Sequence, residues 1–574
     1  MDLLKPVSSR FIRHVLLLTC VLTVVIGLSI GCDGVKISHF HENGVVASVS
    51  PIASQVGEQI FRQGGNAFDA AVGVGFALAV VHPQAGNLGG GGFALARDGG
   101  NGHIIALDFR EKAPLASTED MYLDNGGGVV EDLSSLGALS AGVPGTVAGL
   151  HALWKEYGTL PWEDLVTIAA KMADTGFIVD EYLAGSLADY QDQLSVFPET
   201  ESLLLPGGKV PGVGEQLILS DLAATLYLIA AEGSEAFYNG FIADSIVACM
   251  AEHGGLITAE DLQQYQVMWR QPVHFEFDSL DIYSMCPPSS GGIVMGQILK
   301  LLEPYDLSRY FPDSPEYMHL FCEASRLAYA DRSIHLGDPA YYSIPGRLLS
   351  PEYIDERRKL IPVDHAGSSD AIEAGSPLKY ESDETTHFSV CDKHGNMVSV
   401  TTTLNATYGS KLVVSGAGFL LNNEMDDFSI RPGHPNLYGL IGGEANKIEP
   451  GKRMLSSMSP TLVLKDDKPL LVLGSPGGSR IITTVAQAIV GFSRFGLSLE
   501  EIVSQPRFHH QWLPDVVYLE EEGFFVDKIQ ALIKYGYHVQ ERSKYGDLQL
   551  IHITAEGLMH GASDPRRGGA VAGY

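Results

Sequence analysis

Basic residues are scarce in this chain. Lys and Arg number 38 against 69 Asp and Glu over 574 residues, a formal net charge of −31. A field of that sign repels duplex nucleic acid and anionic membrane surfaces, so nucleic acid is not expected as a partner. Cysteine is scarcer still, at six residues. Cys249, Cys286, Cys322 and Cys391 stand at long, irregular spacings that fit no zinc motif, and a chain of this length needs no disulfide framework. Buried free thiols are expected. Internal repeats and long low-complexity segments are also lacking, and a long apolar run occurs in one place, near the N-terminus.

There Lys5, Arg10 and Arg13 precede VLLLTCVLTVVIGLSIG, from Val15 to Gly31. A basic leader, an apolar centre and a small residue at the break describe a secretory signal over residues 1–32. The protein is therefore expected to be exported, periplasmic or extracellular. The run is short beside the ~20 residues of a bilayer-crossing helix. SIGC suits lipidation at Cys32 through Gly31, although Ser29 stands where an aliphatic residue is usual. A lipid-anchored protein, a plainly cleaved signal and an uncleaved anchor all fit this segment.

The chain as a whole is 45% hydrophobic, enough for a large core, and its length suggests two or more lobes. SPIASQVGEQIFRQGGNAFDAAVGVGFALAVVHP predicts two helices parted by Gly64-Gly65, with Asn66 capping the second. The second is apolar nearly all round and too short to span a membrane, so it should be buried. SPEYMHLFCEASRLAYADRSIHLGDP predicts a long helix closed at Gly337-Asp338-Pro339, and PWEDLVTIAAKMADTG another. Residues 363–384 are polar, without apolar period, and suggest an exposed loop. Beyond them the chain turns strand-rich. Helices and strands intermix throughout, giving an α/β or α+β class.

Hydroxyls gather where the polar segment ends, in SDETTHFSVCDKHGNMVSVTTTLNATYG. Lys393-His394-Gly395 suits a three-residue hairpin loop with Gly395 left-handed. That register pairs Asp392 with Asn396 and sets Thr385 opposite Thr403. A two-residue turn would pair Thr386 with Thr403 instead. Opposed strand residues lie about 5 Å apart, within reach of a hydroxyl hydrogen bond, although threonine also favours strands for packing reasons alone.

The hairpin belongs to an ordered series of motifs: VVHPQAGNLGGGGFALARDG, DFREKAP, TTHFSV, TTTLNATYG, LLNNEMDDFS, LSSMSPTLVL, GSPGGSRIITT and ASDPRRGGAVAGY. The series resembles the γ-glutamyltransferases (glutathione hydrolases) of the N-terminal-nucleophile hydrolase group, from about Val46 to the C-terminus. The resemblance implies a four-layer αββα sandwich. It implies a precursor that cuts itself between Glu384 and Thr385, giving a large subunit (33–384) and a small catalytic subunit (385–574) joined as a heterodimer. Thr385 would be the nucleophile, with Thr403 hydrogen-bonded to it and Gly477 and Gly478 forming an oxyanion hole. Arg110, Ser456 and Ser457 would bind the substrate α-carboxylate, and Asn405, Glu424 and Asp427 its α-ammonium. Tyr438 would stand on a lid loop in RPGHPNLYGLIGG. The implied substrates are glutathione, γ-glutamyl compounds and amino-acid or dipeptide acceptors.

The residue types suit these roles. A free α-amine has a pKa of about 7.7–8.0 and can serve as base to the hydroxyl on the same residue, which an amide nitrogen cannot do. Arginine's planar fork holds a carboxylate through two bonds. GSPGGSR lacks the lysine of a phosphate loop. NLGGGG suggests close backbone packing, and His509-His510, adjacent in sequence, a structural pair. Asn405-Ala406-Thr407 is formally a glycosylation sequon, but a glycan there would sit in the expected pocket. No metal or organic cofactor is implied. Two rival readings stay open: an acylase for glutaryl-β-lactams or poly-γ-glutamate, and an uncleaved, non-catalytic surface protein.

Overall fold

The computed structural model describes residues 40–372, 385–431 and 433–574. The leader with Cys32 and the segment carrying Glu384 lie outside the described residues. Among the described residues no helix is long and apolar enough to cross a membrane.

The frame is built from two stacked sheets. Their strands, in chain order, are β1 (Gly44–Ser48), β2 (Gly91–Arg97), β3 (Ile104–Phe109), β4 (Met268–Arg270), β5 (Val273–Phe277), β6 (Leu280–Ser284), β7 (Thr386–Asp392), β8 (Met397–Thr403), β9 (Thr461–Lys465), β10 (Lys468–Gly474), β11 (Gln549–Ile553), β12 (Met559–Ser563) and β13 (Ala570–Gly573). The first sheet runs β13-β1-β7-β8-β2-β3-β4 and the second β12-β11-β10-β9-β6-β5. Strand alternation divides the side chains of the first sheet between two apolar masses. Val46, Ala94, Ala96, Phe388, Val390, Val398 and Val400 face one helical layer, while Val45, Ala47, Phe93, Leu95 and Met397 face the second sheet.

The first outer layer includes helices α1 (Pro51–Arg62), α2 (Ala67–Val81) and α3 (Thr146–Tyr157). As the sequence predicts, Asn66 caps α2, in a reciprocal capping box with Asp69, and every residue of α2 is buried. The other outer layer includes α4 (Gly291–Leu302), α5 (Pro315–His335) and α6 (Ile481–Ser493). The result is the expected four-layer αββα sandwich. Strands from both sides of position 385 interleave in the first sheet and meet at the β9–β6 pair in the second, so the lobes suggested by length merge into one body. The four described cysteines are free and buried. One expectation is corrected: residues 363–372 are not simply an exposed loop. Ser369 is buried, its amide donating to Asp515 Oδ2 at 2.9 Å and its hydroxyl to Trp512 O at 2.6 Å.

The hairpin adopts the three-residue closure. Gly395 has φ 78°, and Asp392 N donates to Asn396 O at 3.1 Å. The ladder pairs Cys391 with Met397 and Thr386 with Thr402, so one further step sets Thr385 opposite Thr403. The glycines of NLGGGG do permit close packing: a Cβ on Gly90 would lie 2.0 Å from Thr403 O, and one on Gly92 2.3 Å from Thr401 O.

Between the sheets, His387 is held neutral by burial, its pKa lowered to about 3. Its ring nitrogens bond Thr401 Oγ1 at 2.8 Å and Ser389 Oγ at 3.2 Å. The ring presses on β10, where a Cβ added to Gly474 would fall 2.3 Å from its Cε1. Gly474→Ala is therefore expected to destabilise the protein by about 1–3 kcal/mol, the usual cost of overpacking, seen as a lowered Tm.

Candidate active site

Five backbone segments end at one edge of the sandwich. β3 leads directly into Arg110, β7 starts just after Thr385, and β8 ends at Thr403. Ser456 and Ser457 precede β9, and β10 runs into the Ser475–Gly478 turn. A small pocket opens where they meet. Its lining includes Thr385, Thr403, Arg110, Asn405, Glu424 and Asp427, together with Tyr438, Ser456, Ser457 and Gly478. Of the candidates in the described residues, only Gly477 is outside this lining. It precedes Gly478 in the same turn, at φ 131°, and Arg480 N donates to its carbonyl at 2.9 Å.

Each wall has a local cause. Thr403 Oγ1 accepts Asn405 N–H at 2.8 Å, in a turn that places Asn405 at φ 75°. Asn405 Nδ2 then donates to Asn423 O at 3.0 Å. Glu424–Asp427 forms a single 3-10 turn. Asn422 anchors it, donating to Gly89 O and Gly142 O at 2.8 Å each and accepting Glu424 N–H at 3.0 Å. Asn405 and Thr407 are both nearly inaccessible, which closes the folded sequon to a glycan.

The charges in the cavity pair with one another. Arg110 Nη1 lies 2.6 Å from Glu424 Oε2 and 3.4 Å from Glu111 Oε2, and Nη2 donates to Asp427. The Glu424 contact is one of charge without hydrogen-bond alignment, and both its oxygens are without a hydrogen-bond partner. Burial drives the Glu424 carboxyl well up, against the pull of Arg110. It likewise lifts Glu111 to about 7, against Arg110, and Asp426 to about 6, against hydrogen bonds from Ser134 and Leu437. Arg110 itself is raised, because three carboxylates outweigh its desolvation. The cavity is thus acidic around one arginine.

The loop carrying Tyr438 covers this cluster. Asp426 accepts Leu437 N–H at 2.7 Å, and Asn436 Nδ2 donates to Asp427 Oδ1 at 3.1 Å. The Tyr438 hydroxyl donates to Asn405 O at 2.6 Å. Its ring lies against Gly478, at φ 53°, where an added Cβ would meet Cδ1 at 2.6 Å.

Sequence reading missed the supports behind these residues. Gln511 accepts the Ser479 hydroxyl at 2.6 Å and donates to Tyr438 O at 3.2 Å, tying the Gly478 turn to the lid. His509 orients it through Nε2 at 2.9 Å, and His510 bonds Asp515 at 3.1 Å, both structural roles. Arg332, on the last turn of α5, lines the cavity as a second arginine. Its sequence signal is merged in the apolar period of its helix.

A threonine at a strand mouth between two sheets, with glycine amides and a charge cluster in one cavity, belongs to the N-terminal-nucleophile hydrolase architecture. The comparisons agree. The Gamma-glutamyltranspeptidase family matches residues 53–574, and the chain belongs to that family of enzymes. It is 47% identical over 539 residues to the glutathione hydrolase proenzyme of Escherichia coli K12, covering 93% of each chain. Among solved structures, it resembles the cephalosporin acylase of Bacillus halodurans (TM-score 0.84, 28% identity, 95% of this chain and 99% of that one). It also resembles the gamma-glutamyltranspeptidase of Helicobacter pylori (TM-score 0.56, 41% identity, 60% of this chain and 96% of that one).

The closeness of Gly478 to Tyr438 gives a direct test. Gly478→Ala should lower kcat about 10²-fold, the scale of an ångström-sized misplacement in a reacting site, with a much smaller change in the amount of folded protein by circular dichroism.

Proposed function

We propose that the protein is a γ-glutamyl acyltransferase and glutathione hydrolase that matures by cutting itself between Glu384 and Thr385. The observation carrying this reading is the sharing of one buried cavity by Thr385, Thr403, Gly478 and a mixed charge cluster. The amine freed on Thr385 takes the proton of its own hydroxyl as Oγ1 attacks the γ-amide carbonyl. Gly477 and Gly478 amides receive the developing oxyanion, a term worth about 2.7–4 kcal/mol per donor. The leaving amine departs protonated, and a γ-glutamyl ester remains on Thr385. Water converts the ester to glutamate, or an acceptor amine takes the acyl group.

The charge cluster supports an α-amino-acid head as the recognised group. Such a head brings one charge of each sign, so it can enter a paired cluster without altering the net charge. Its carboxylate goes to Arg110, Ser456 and Ser457, its ammonium to Asn405, Glu424 and Asp427. The Tyr438 loop excludes water from the acyl-enzyme. The basic and apolar leader supports export, with Cys32 as lipidation candidate. The likeness to a cephalosporin acylase favours a second reading, deacylation of glutaryl compounds. The acidic side of the cavity weighs against it, because a glutaryl group offers no ammonium to Glu424 and Asp427.

Thr385→Ala should leave a single uncut chain on a denaturing gel, and Edman degradation of the wild-type small chain should begin Thr-Thr-His-Phe. An active preparation whose small chain starts elsewhere would overturn the mechanism. Glu424 supplies a pH test. Burial raises its pKa, so the ammonium-binding anion is lost as pH falls through that value. In Glu424→Gln the acid limb of kcat/KM for a γ-glutamyl anilide should move to lower pH, while the plateau falls.

A further inference from the structure

The two arginines of the cavity are in opposite situations. Arg110 has carboxylates on both Nη atoms. Arg332 is 5% exposed and makes no direct ion pair among the described residues; the one carboxylate whose charge reaches it is Asp427, which Arg110 already holds. The adjacent Asp331 is taken up by Arg357 at 2.8 Å and Gln297 at 2.8 Å. Arg332 instead donates to two hydroxyls: Nε to Ser290 Oγ at 2.9 Å and Nη2 to Ser457 Oγ at 3.2 Å. A buried cation whose nearest anion is already bonded to another arginine is costly, and such groups are ordinarily paired.

The hydroxyls explain what this arrangement does. A serine hydroxyl has one donor and two acceptor sites. Ser290 Oγ donates to Ser456 O at 2.7 Å and accepts Arg332, so it is committed to both. Ser456 Oγ accepts Met458 N–H at 3.1 Å, and Ser457 Oγ accepts Arg332. Both cavity serines therefore meet protein donors as acceptors, which leaves each O–H to turn toward the cavity. Two such O–H groups backed by an unpaired guanidinium form a seat for an anion.

We infer that Arg332 is a positioning and specificity-determining residue for the α-carboxylate of the γ-glutamyl donor, which it recognises through Ser457 and for which it provides the missing counter-charge. This rests on the γ-glutamyl reading above. Arg332 holds the Ser456–Ser457 turn through Ser290, orients the Ser457 hydroxyl as a donor, and gains an anionic partner when the donor binds. Arg110, already engaged by carboxylates, then shares the carboxylate charge instead of bearing it alone.

The test uses matured wild type, Arg332→Met and Arg332→Lys with two anilides, γ-glutamyl-p-nitroanilide and 4-aminobutyryl-p-nitroanilide, which lacks the α-carboxylate. In Arg332→Met, KM for the γ-glutamyl substrate should rise about 10- to 100-fold, the range of a charge-assisted hydrogen bond, with a much smaller change in kcat. The preference for γ-glutamyl over 4-aminobutyryl in kcat/KM should fall by a similar factor. In a Ser457→Ala background the same substitution should change that preference less than it does in wild type, because the hydroxyl through which Arg332 recognises the carboxylate is already removed. An equal loss of kcat/KM on both anilides would make Arg332 merely structural and overturn the inference. Should Arg332→Met fail to mature, Arg332→Lys is read by the same preference ratio, since one nitrogen then replaces the two, Nε and Nη2, that reach Ser290 and Ser457. A wild type that prefers 4-aminobutyryl or glutaryl anilide would instead overturn the γ-glutamyl reading, and the inference with it.

Discussion

The register of the hairpin formed by β7 and β8 is the constraint on which the site depends. Strand side chains alternate, so a slip of one residue would turn Thr385 and Thr403 away from the gap between the sheets. The lock lies at the opposite end of the hairpin from the cavity. Asp392 Oδ1 accepts His394 N–H at 2.8 Å and Asn396 N–H at 3.2 Å, while Oδ2 accepts Asn396 Nδ2 at 2.8 Å. Oδ2 also accepts Ala67 N–H at 2.9 Å, at the N-terminus of α2. One carboxylate thus fixes loop, ladder and outer helix together, and the strand mouths follow.

With the hairpin fixed, electrostatics selects what the cavity recognises. Burying arginines and carboxylates together costs desolvation that packing alone would not favour. The cluster nevertheless persists around Arg110, with Glu111 and Asp426 pushed into or near the neutral range by burial. The seats for the two signs of charge come from different parts of the chain. Arg110 follows β3, the acidic turn follows β8, and the serines precede β9. The first two share one sheet, and the stacking of the second sheet on it brings the serines into the same cavity.

Interleaving also bears on maturation. β7 pairs with β1, and β8 with β2, through continuous antiparallel ladders. The proposed break between Glu384 and Thr385 would leave both pieces held by these ladders and by the core between the sheets. Thr385 would therefore gain a free amine without losing the structure that aims it. On the other side of the cavity, Gln511 couples the Gly478 turn to the Tyr438 loop, so the proposed oxyanion seat and the proposed lid share one support.

By itself the sequence determined what is local. Capping at Asn66, the Gly395 turn and the apolar alternation of β1, β2, β7 and β8 follow from propensity and period, which act over a few residues. The site candidates were legible because each stands in an uninterrupted motif. The tertiary structure alone decided which charges meet. Nothing in the spacing of Arg110, Glu424 and Asp427 says that they pair, because such contacts are set by the strand order of the first sheet and by the turns beyond its strand ends. Arg332 was hidden for the same reason. Along its helix it is one polar residue in a buried run, and its role appears only when Ser290 and Ser457, distant in the chain, are folded against it. Ser369 was misread likewise, since a polar stretch looks like surface until a partner such as Asp515 buries it.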